Sequence, residues 1–167
     1  EALGDEELEY VNTIRDSGRM LLSLINDILD FSKIEAGRLD VEEENCRIKE
    51  LLGRIELLLK PSAERKGLKF GVFYSDDLPE FLKTDSVRFK QCIVNLVNNA
   101  IKFTESGHVY INVSTDLDRG CSWIRFDIED TGIGIPKERQ EAIFEAFTQA
   151  DGTTTRRFGG TGLGLTI

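Results

Sequence analysis

The sequence predicts an α/β or α+β fold with a long helical appendage at its N-terminal end. Residues 5–33 keep helical apolar spacing throughout. Residues 109–115 and 122–129 alternate apolar and polar side chains, as the strands of an antiparallel pair do. Helical segments at 48–65 and 85–103 stand beside these strand-like runs. Helices and at least one hairpin are therefore mixed in one chain, which is typical of these two classes.

The appendage is predicted to be one helix with two adjacent apolar stripes. One stripe follows a 3–4 alternation and the other recurs every seven residues. The first contains Leu8, Val11, Gly18, Leu22, Ile25 and Leu29, and the second contains Ile14, Leu21 and Ile28. Because one partner helix does not cover two stripes, we expect a hairpin partner and a symmetry mate, as in a dimeric four-helix bundle. A single core helix of a monomer is the alternative, and it fits two stripes less well.

The remaining elements are bounded by glycines and turn residues. Gly37 ends the appendage, and Gly67 stops the helix at 48–65. The two alternating strands join near Arg119 and Gly120. We further predict a short strand at 39–41, a strand at 68–74 with a turn at 76–79, a short helix at 137–144, and a glycine- and threonine-rich stretch that leads to 159–164.

Composition excludes several classes of function. The 167 residues have a formal net charge of −9, which argues against a large nucleic-acid interface because such an interface needs a basic face. No apolar run approaches the roughly 20 residues that span a bilayer, so we expect no membrane contact by this chain. The cysteines Cys46, Cys92 and Cys121 lack metal-ligand spacing and predict packing residues in a reducing compartment.

The helix at 85–103 has a polar face of unusual chemistry. At 100° per residue, one stripe about 80° wide contains Arg88, Gln91, Asn95, Asn99 and Lys102. The opposite side contains Ile93, Leu96, Val97 and Ala100. An ordinary solvated face is the simpler interpretation, but such a face more often has Glu and Lys than asparagines, which are mediocre helix formers. Amide oxygens at fixed spacing suit Mg²⁺, and a lysine one turn later suits phosphate.

Two glycine loops follow this helix. In the first, a strand delivers Asp130 to the run Thr131-Gly132-Ile133-Gly134-Ile135-Pro136, where a carboxylate is positioned to accept a hydrogen bond from an exocyclic amine such as that of adenine. The second, Gly159-Gly160-Thr161-Gly162-Leu163-Gly164, leads to a predicted helix N-terminus that favours phosphate. A tight turn is the alternative for the first loop. For residues 148–158, which we interpret as a mobile lid carrying Arg156 and Arg157, a disordered linker is the alternative.

Taken together and in this order, these motifs resemble the histidine kinase branch of the ATPase superfamily that also holds gyrase, MutL and heat-shock chaperones. The segment 95–104 resembles the N box of that family, 130–136 its first glycine box, 144–147 its F box and 160–165 its second glycine box. Residues 29–37 resemble the end of the second dimerisation helix and its linker. The resemblance covers nearly the whole chain. It implies an α+β, two-layer sandwich, with helices on one face of a mixed sheet, preceded by a long dimerisation-bundle helix.

The resemblance also assigns roles to individual residues. Asn99 would bind Mg²⁺, with Asn95 in a supporting role or as a second metal ligand, and Lys102 would contact phosphate. Asn95 and Lys102 are the expected catalytic residues. Asp130 recognises the adenine amine of ATP in a pocket shaped by Gly132 and Gly134. The other expected nucleotide-site residues are Ile135, Phe147, Arg156, Gly160, Thr161, Gly162, Leu163 and Gly164. Of these, Phe147 is expected to anchor the lid by packing, together with Phe144.

The implied activity is ATP-dependent protein-histidine kinase. Residues 1–36 would be the second helix of the dimerisation domain, forming a homodimer through 5–33, and 37–167 the ATP-binding domain. The longer protein would pass the phosphoryl group to a response-regulator receiver domain. We expect a cytoplasmic location, and membrane anchoring of the longer protein stays open. A regulatory nucleotide-binding module and an ATPase or serine kinase of the same superfamily are the alternatives.

One departure from the family pattern concerns the phosphoacceptor. The family carries that histidine on a first dimerisation helix, which this sequence does not contain. The single histidine, His108, follows Gly107 and is interpreted as a strand-edge residue. We therefore expect a fragment, also short of the family's last helix and strand pair, that does not autophosphorylate alone. An acid-labile phosphate left on the chain by radiolabelled ATP would refute this.

Overall fold

The computed structural model describes residues 4–118, 121–146, 162 and 164–166. In chain order, its helices and strands are α1 (Asp5–Glu35), β1 (Glu44–Arg47), α2 (Ile48–Arg65), β2 (Lys69–Tyr74), β3 (Phe81–Thr84), α3 (Ser86–Phe103), β4 (His108–Asp118) and β5 (Cys121–Asp130). Two short 3₁₀ turns follow, at Lys137–Arg139 and Ala142–Phe144.

Two sheets organise the chain after α1. The larger has the strand order β2-β4-β5, in which β2 runs parallel to β4 and β5 runs antiparallel to it. The smaller is the antiparallel pair β1-β3. A parallel strand next to an antiparallel one makes the larger sheet mixed, as predicted. The predicted hairpin of β4 and β5 is confirmed and is longer than expected.

The core lies between one face of the larger sheet and the helices α2 and α3. Val109, Ile111 and Val113 alternate along β4 and are almost fully buried, which is the pattern of a strand with one covered face. The helices contribute Ile48, Leu52, Ile55, Leu59 and Ala63 from α2, and Ile93, Val97, Ala100 and Ile101 from α3. Each fully buried Leu or Ile contributes about 1.5–3 kcal/mol. On the other face Phe73 and Trp123 are exposed, so the described helices cover one face, as predicted.

The long N-terminal helix forms as predicted and exposes most of its apolar side chains. It ends at Glu35, and the φ of 62° at the following Gly37 lets the Gly37 and Arg38 amides donate hydrogen bonds back to the carbonyls of Ile34 and Lys33. Ile14, Leu21 and Leu22 are each more than half exposed. A single chain therefore leaves both apolar stripes of α1 largely uncovered.

Two sequence predictions about elements are wrong. Residues 39–41 form no strand, and the strand of this region is Glu44–Arg47, which pairs with the strand Phe81–Thr84 that the sequence did not indicate. The helix expected at 137–144 is two separate 3₁₀ turns without a buried side chain, and eight residues without burial rarely sustain an α-helix. Leu96, on the side of α3 opposite the polar stripe, is 37% exposed because it lies at the edge of the buried sector.

Within the described residues, no helix combines the length and apolarity that crossing a bilayer needs.

Candidate functional site

The helix α3 is fixed at its start by Asp85. This carboxylate accepts hydrogen bonds from the Val87 and Arg88 amides, both at 3.0 Å, and from the Glu42 amide at 3.2 Å. It is an N-cap that satisfies two donors of the first helical turn. The hydrogen bond donated by the Arg88 backbone N–H is the main cause that lowers the pKa of Asp85. The start of the helix, and with it the phase of its polar stripe, is therefore set by one residue.

The polar stripe predicted on α3 is present. Asn95, Asn99 and Lys102 are half-buried, and Ile93, Val97 and Ala100 on the opposite side are buried. Within the described part of the chain, the Asn99 amide has no hydrogen-bond partner. The Lys102 ammonium lies 4.8 Å from the Phe103 ring centroid, and burial lowers the pKa of Lys102. A half-buried amide oxygen and a partly desolvated cation are groups that bind a metal-bound phosphate well.

The first glycine loop lies against the C-terminal end of α3. Asp130 is exposed at the end of β5, and its Oδ1 accepts the Gly132 amide at 2.8 Å. The Ile133 amide donates to the Phe103 carbonyl at 3.3 Å. A Cβ on Gly132 would stand 2.6 Å from that same carbonyl oxygen, so only glycine allows this approach of loop to helix. The predicted carboxylate and the predicted stripe are thus joined through backbone contacts.

Two residues that the sequence analysis did not select hold this junction. The Lys66 ammonium donates to the carbonyls of Ile101, Lys102 and Thr104, at 2.7, 2.8 and 3.2 Å. These carbonyls have no partner within α3 because the helix ends there, so Lys66 caps them. Thr131 Oγ1 accepts the His108 amide at 3.0 Å and donates to the Ser106 carbonyl at 3.1 Å. No local sequence signal indicates this cap, because Lys66 lies 35–38 residues from the carbonyls that it binds.

The second glycine loop reaches the middle of α3. The Asn95 Nδ2 donates to the Gly164 carbonyl at 3.0 Å, and Gly162 has a φ of 71°. Nearby, Thr166 Oγ1 donates to the Phe144 carbonyl at 3.2 Å. The amide nitrogen of Asn95 therefore holds the loop, which fits a supporting role better than a primary metal-ligand role. Phe147, Arg156, Arg157, Gly160, Thr161 and Leu163 lie outside the described residues.

Ile135 and Gly134 complete the described part of the first loop. Ile135 is 47% exposed and Ile133 is 72% exposed, so two apolar side chains flank Asp130 at the surface. Exposed apolar groups beside a carboxylate suit a flat heteroaromatic ring with an amine at its edge. Gly134 has a φ of 69° and open space around its Cβ position.

Two clefts of the described chain lie away from the predicted site residues. One, of about 280 Å³, is lined by Arg47, Ile48 and the segment 78–80 among others. The other, of about 310 Å³, lies between residues 41–43 and the first turns of α3. Neither contains Asn99, Asp130 or Gly162. The described residues also include no cluster of three or more His, Cys, Asp or Glu side chains suited to a metal ion.

His108 begins β4, as expected for a strand-edge residue. Its Nε2 lies 3.0 Å from Glu129 Oε1, and its ring stacks on Tyr110 with centroids 4.2 Å apart. It lies on the sheet face opposite the helices, because its neighbour Val109 is buried against them.

Comparison with known families matches both parts of the chain. The model described as "Histidine kinase-, DNA gyrase B-, and HSP90-like ATPase" matches residues 84–167, and the model described as "His Kinase A (phospho-acceptor) domain" matches residues 1–37. The first match contains α3 and both glycine loops. The second contains α1.

Curated relatives and a solved structure agree with these matches. The chain is 44% identical to the sensory/regulatory protein RpfC of Xanthomonas campestris, over 99% of this chain and 23% of that protein. It is 45% identical to the signal transduction histidine-protein kinase BarA of Escherichia coli, over 95% of this chain and 17% of that protein. The full-length ShkA crystal structure with AMPPNP superposes with a TM-score of 0.80 at 36% identity, covering 99% of this chain and 33% of ShkA. The chain thus spans about a quarter or less of these curated relatives.

Proposed function

Because the chain belongs to the histidine kinase-, DNA gyrase B- and HSP90-like ATPase family, we propose that it is the ATP-binding catalytic part of a two-component sensor histidine kinase. The longer protein would transfer the γ-phosphoryl group of ATP to a histidine, and from there to an aspartate of a response regulator. The observation that carries the proposal is the meeting of three motifs on α3. Gly132 touches its end, Gly164 touches its middle, and the amide stripe lies between them.

Different side chains of this protein would bind the base, the metal ion and the phosphates of ATP. The Asp130 carboxylate accepts the adenine amine, and Ile133 and Ile135 cover the base. Asn99 offers its amide oxygen to Mg²⁺, which neutralises phosphate charge when bound. Asn95 holds the Gly164 carbonyl of the second glycine loop, and backbone N–H groups of that loop would bind the phosphates. Phosphoryl transfer needs little covalent chemistry from the protein, so positioning and charge are its main contributions.

Lys102 has an electrostatic reason to bind the triphosphate. Burial lowers its pKa, which means that the charged ammonium is less well solvated there than in water. A phosphate oxygen next to the ammonium compensates for that lost solvation. The charge of Lys102 is therefore stabilised by ATP and, in return, favours ATP binding.

The long helix is proposed to be the dimerisation element. Residues 1–36 would be the second helix of a dimerisation and phosphotransfer domain, and 37–167 the ATP-binding domain, located in the cytoplasm. A homodimer through residues 5–33 would cover Ile14, Leu21 and Leu22, which a single chain exposes. A receiver domain of a response regulator is the proposed second partner.

Replacement of Asn99 by alanine tests the central assignment. We expect the affinity for Mg-ATP to fall more than tenfold, because the variant loses the metal-facing oxygen, while the melting temperature changes little. Isothermal titration with Mg-ATP, and with ATP in excess EDTA, measures this. Asn98→Ala is the matched control, because Asn98 is exposed on the same helix turn outside the stripe. Unchanged Mg-ATP affinity in Asn99→Ala would refute the metal role.

The alternatives differ in measurable ways. A regulatory nucleotide-binding module would bind Mg-ATP, but its longer protein would form no phosphohistidine. An ATPase of the same superfamily would release phosphate without one. The match of residues 1–37 to a phosphoacceptor domain model favours the kinase over both.

A further inference from the structure

A polar cluster joins the end of α1 to the start of α3. Asp30 Oδ2 accepts a hydrogen bond from Arg88 Nη1 at 2.7 Å and another from Gln91 Nε2 at 3.0 Å. Arg88 Nη1 also donates to Gln91 Oε1 at 3.0 Å, so the three side chains form a closed triangle. The Asp30 side chain is only 13% exposed and that of Arg88 29%. The hydrogen bond from Arg88 is the main cause that lowers the pKa of Asp30.

This triangle lies on the same face of α3 as the proposed nucleotide site. Arg88 and Gln91 lie on the same stripe as Asn95 and Asn99, and Gln91 is one turn from Asn95, about 6 Å along the axis. The polar face of α3 therefore contacts Asp30 of α1 at its first turns and reaches the proposed nucleotide site further along. Because an α-helix is stiff over this length, a tilt imposed at one end of the face reaches the other.

The segment that follows α1 also contacts the start of α3. The Glu42 amide donates to Asp85 Oδ2 at 3.2 Å, and Ser86 Oγ donates to Glu44 Oε1. Around Asp30 itself, Ile28 and Leu29 remain at least half exposed. Directional hydrogen bonds thus fix the angle between the helices here, and charged bonds of this length are among the stronger ones in proteins.

We propose that Asp30 is a positioning residue that couples nucleotide binding on α3 to the orientation of α1. The inference rests on the proposed function, because it takes the Asn95 and Asn99 face as the nucleotide site. Through Arg88 and Gln91, Asp30 holds that face at one angle to the long helix. By linkage, a nucleotide that favours the present position of α3 also protects the last turn of α1, and the loss of Asp30 removes that protection without removing the nucleotide site.

Asp27 supplies a matched control one turn earlier on α1. Its carboxylate is half-buried, and its pKa is raised by burial and by Asp30, so it makes no stabilising pair with Arg88. Asp27→Asn removes the same charge from the same helix, whereas Asp30→Asn removes the charge that Arg88 binds. Any effect of general charge or helix propensity appears in both variants. An effect of the triangle appears in Asp30→Asn alone.

Hydrogen–deuterium exchange of the whole chain, with and without AMPPNP, tests the coupling. In the wild-type protein AMPPNP should slow exchange of the amides that close α1, those of Ala36, Gly37 and Arg38. In Asp30→Asn these amides should exchange about tenfold faster, and the slowing by AMPPNP should disappear, as expected for the loss of a charged hydrogen bond. By reciprocity, the Kd for AMPPNP in Asp30→Asn should rise by about the factor by which AMPPNP slows this exchange in the wild-type protein, while binding itself persists because the proposed site is intact. Asp27→Asn should behave as wild type.

Three other results would contradict the coupling or the proposed function. AMPPNP binding with the same protection of α1 in Asp30→Asn as in wild type would overturn the coupling and leave the proposed function standing. Equal effects of Asp27→Asn and Asp30→Asn would also overturn it. Failure of the wild-type chain to bind AMPPNP would overturn the proposed function and this inference together. If Asp30→Asn folds poorly by circular dichroism, Gln91→Leu, which removes one side of the triangle from α3, must give the same loss of protection.

Discussion

Replacing Gly132 by alanine is expected to disrupt the contact between the first glycine loop and α3. The new Cβ would stand 2.6 Å from the Phe103 carbonyl oxygen, 3.0 Å from its carbonyl carbon and 2.9 Å from Asp130 Oδ1. Carbon and oxygen atoms in contact normally stay more than 3 Å apart. The Phe103 backbone cannot move away easily, because it belongs to α3 and Lys66 binds the carbonyls on either side of it. The loop must therefore move, which takes Asp130 away from its present position.

The size of the effect follows from the overpacking that this clash creates. Forcing an extra carbon into a packed site costs about 1–3 kcal/mol. In a chain of this size 1 kcal/mol corresponds to roughly 3 °C, so the melting temperature should fall by about 3–9 °C. The affinity for ATP should fall as well, because the displaced carboxylate is the proposed acceptor of the adenine amine.

Gly164→Ala is the matched control for this experiment. Its Cβ would meet Asn95 at 3.6 Å, which is an ordinary van der Waals distance. We expect its stability to stay within about 0.5 kcal/mol of wild type, as for substitutions that create no clash. Thermal unfolding followed by circular dichroism measures both variants. Equal melting temperatures for Gly132→Ala and wild type would refute the reasoning that this position requires glycine because of the Phe103 carbonyl.

Two further predictions concern the residues that hold α3. Lys66→Met should destabilise the fold by about 2 kcal/mol in urea unfolding, because three carbonyls lose a charged donor, whereas Lys69→Met, on an exposed side chain of β2, should change little. Because the folded pKa of Asp30 is lowered, its contribution to stability is present above the unfolded pKa, near 3.9, and is lost as the pH falls through the folded value. Unfolding free energies between pH 6 and pH 3 should therefore fall less steeply in Asp30→Asn than in wild type, and equal slopes would contradict this.

Local patterns in the sequence were sufficient for the helices and the hairpin. The helix predicted at 48–65 is observed as Ile48–Arg65, because its apolar spacing and Gly67 define it without reference to the rest of the chain. The alternation in β4 and β5 is equally local, since it records one buried face. The amide stripe of α3 follows from helical geometry alone.

The errors arise where a partner distant in sequence decides the structure. β1 has mostly exposed side chains and becomes a strand because residues 81–84 pair with it. The apolar Leu39 and Val41 suggested a strand nearby, but Val41 is 59% exposed and no strand among the described residues pairs with that segment. Because strand propensity depends on such pairing, a polar strand of four residues cannot be predicted from the local sequence pattern.

The same distinction applies to the site. Motif spacing found Asn95, Asp130, Gly132 and Gly164, and the structure brings them to one helix. It could not find Asp30 or Lys66 as partners of α3, because each lies far from its contacts in sequence. Arg88 and Gln91 were placed on the correct face, but nothing local shows that a carboxylate from α1 meets them.

These distant contacts explain why α3 suits a binding role. Asp85 and the Asp30 triangle fix its first turns, and Lys66 and the Gly132 contact fix its last. A helix held at both ends presents its middle side chains at defined positions, so little ordering is required when a ligand binds. Asn95 and Asn99 lie in that middle, half-buried and on one face. The restraint that preorganises the amides is also the one that connects them to α1, and an isolated domain without α1 should therefore bind nucleotide yet lack the orientation that Asp30 imposes.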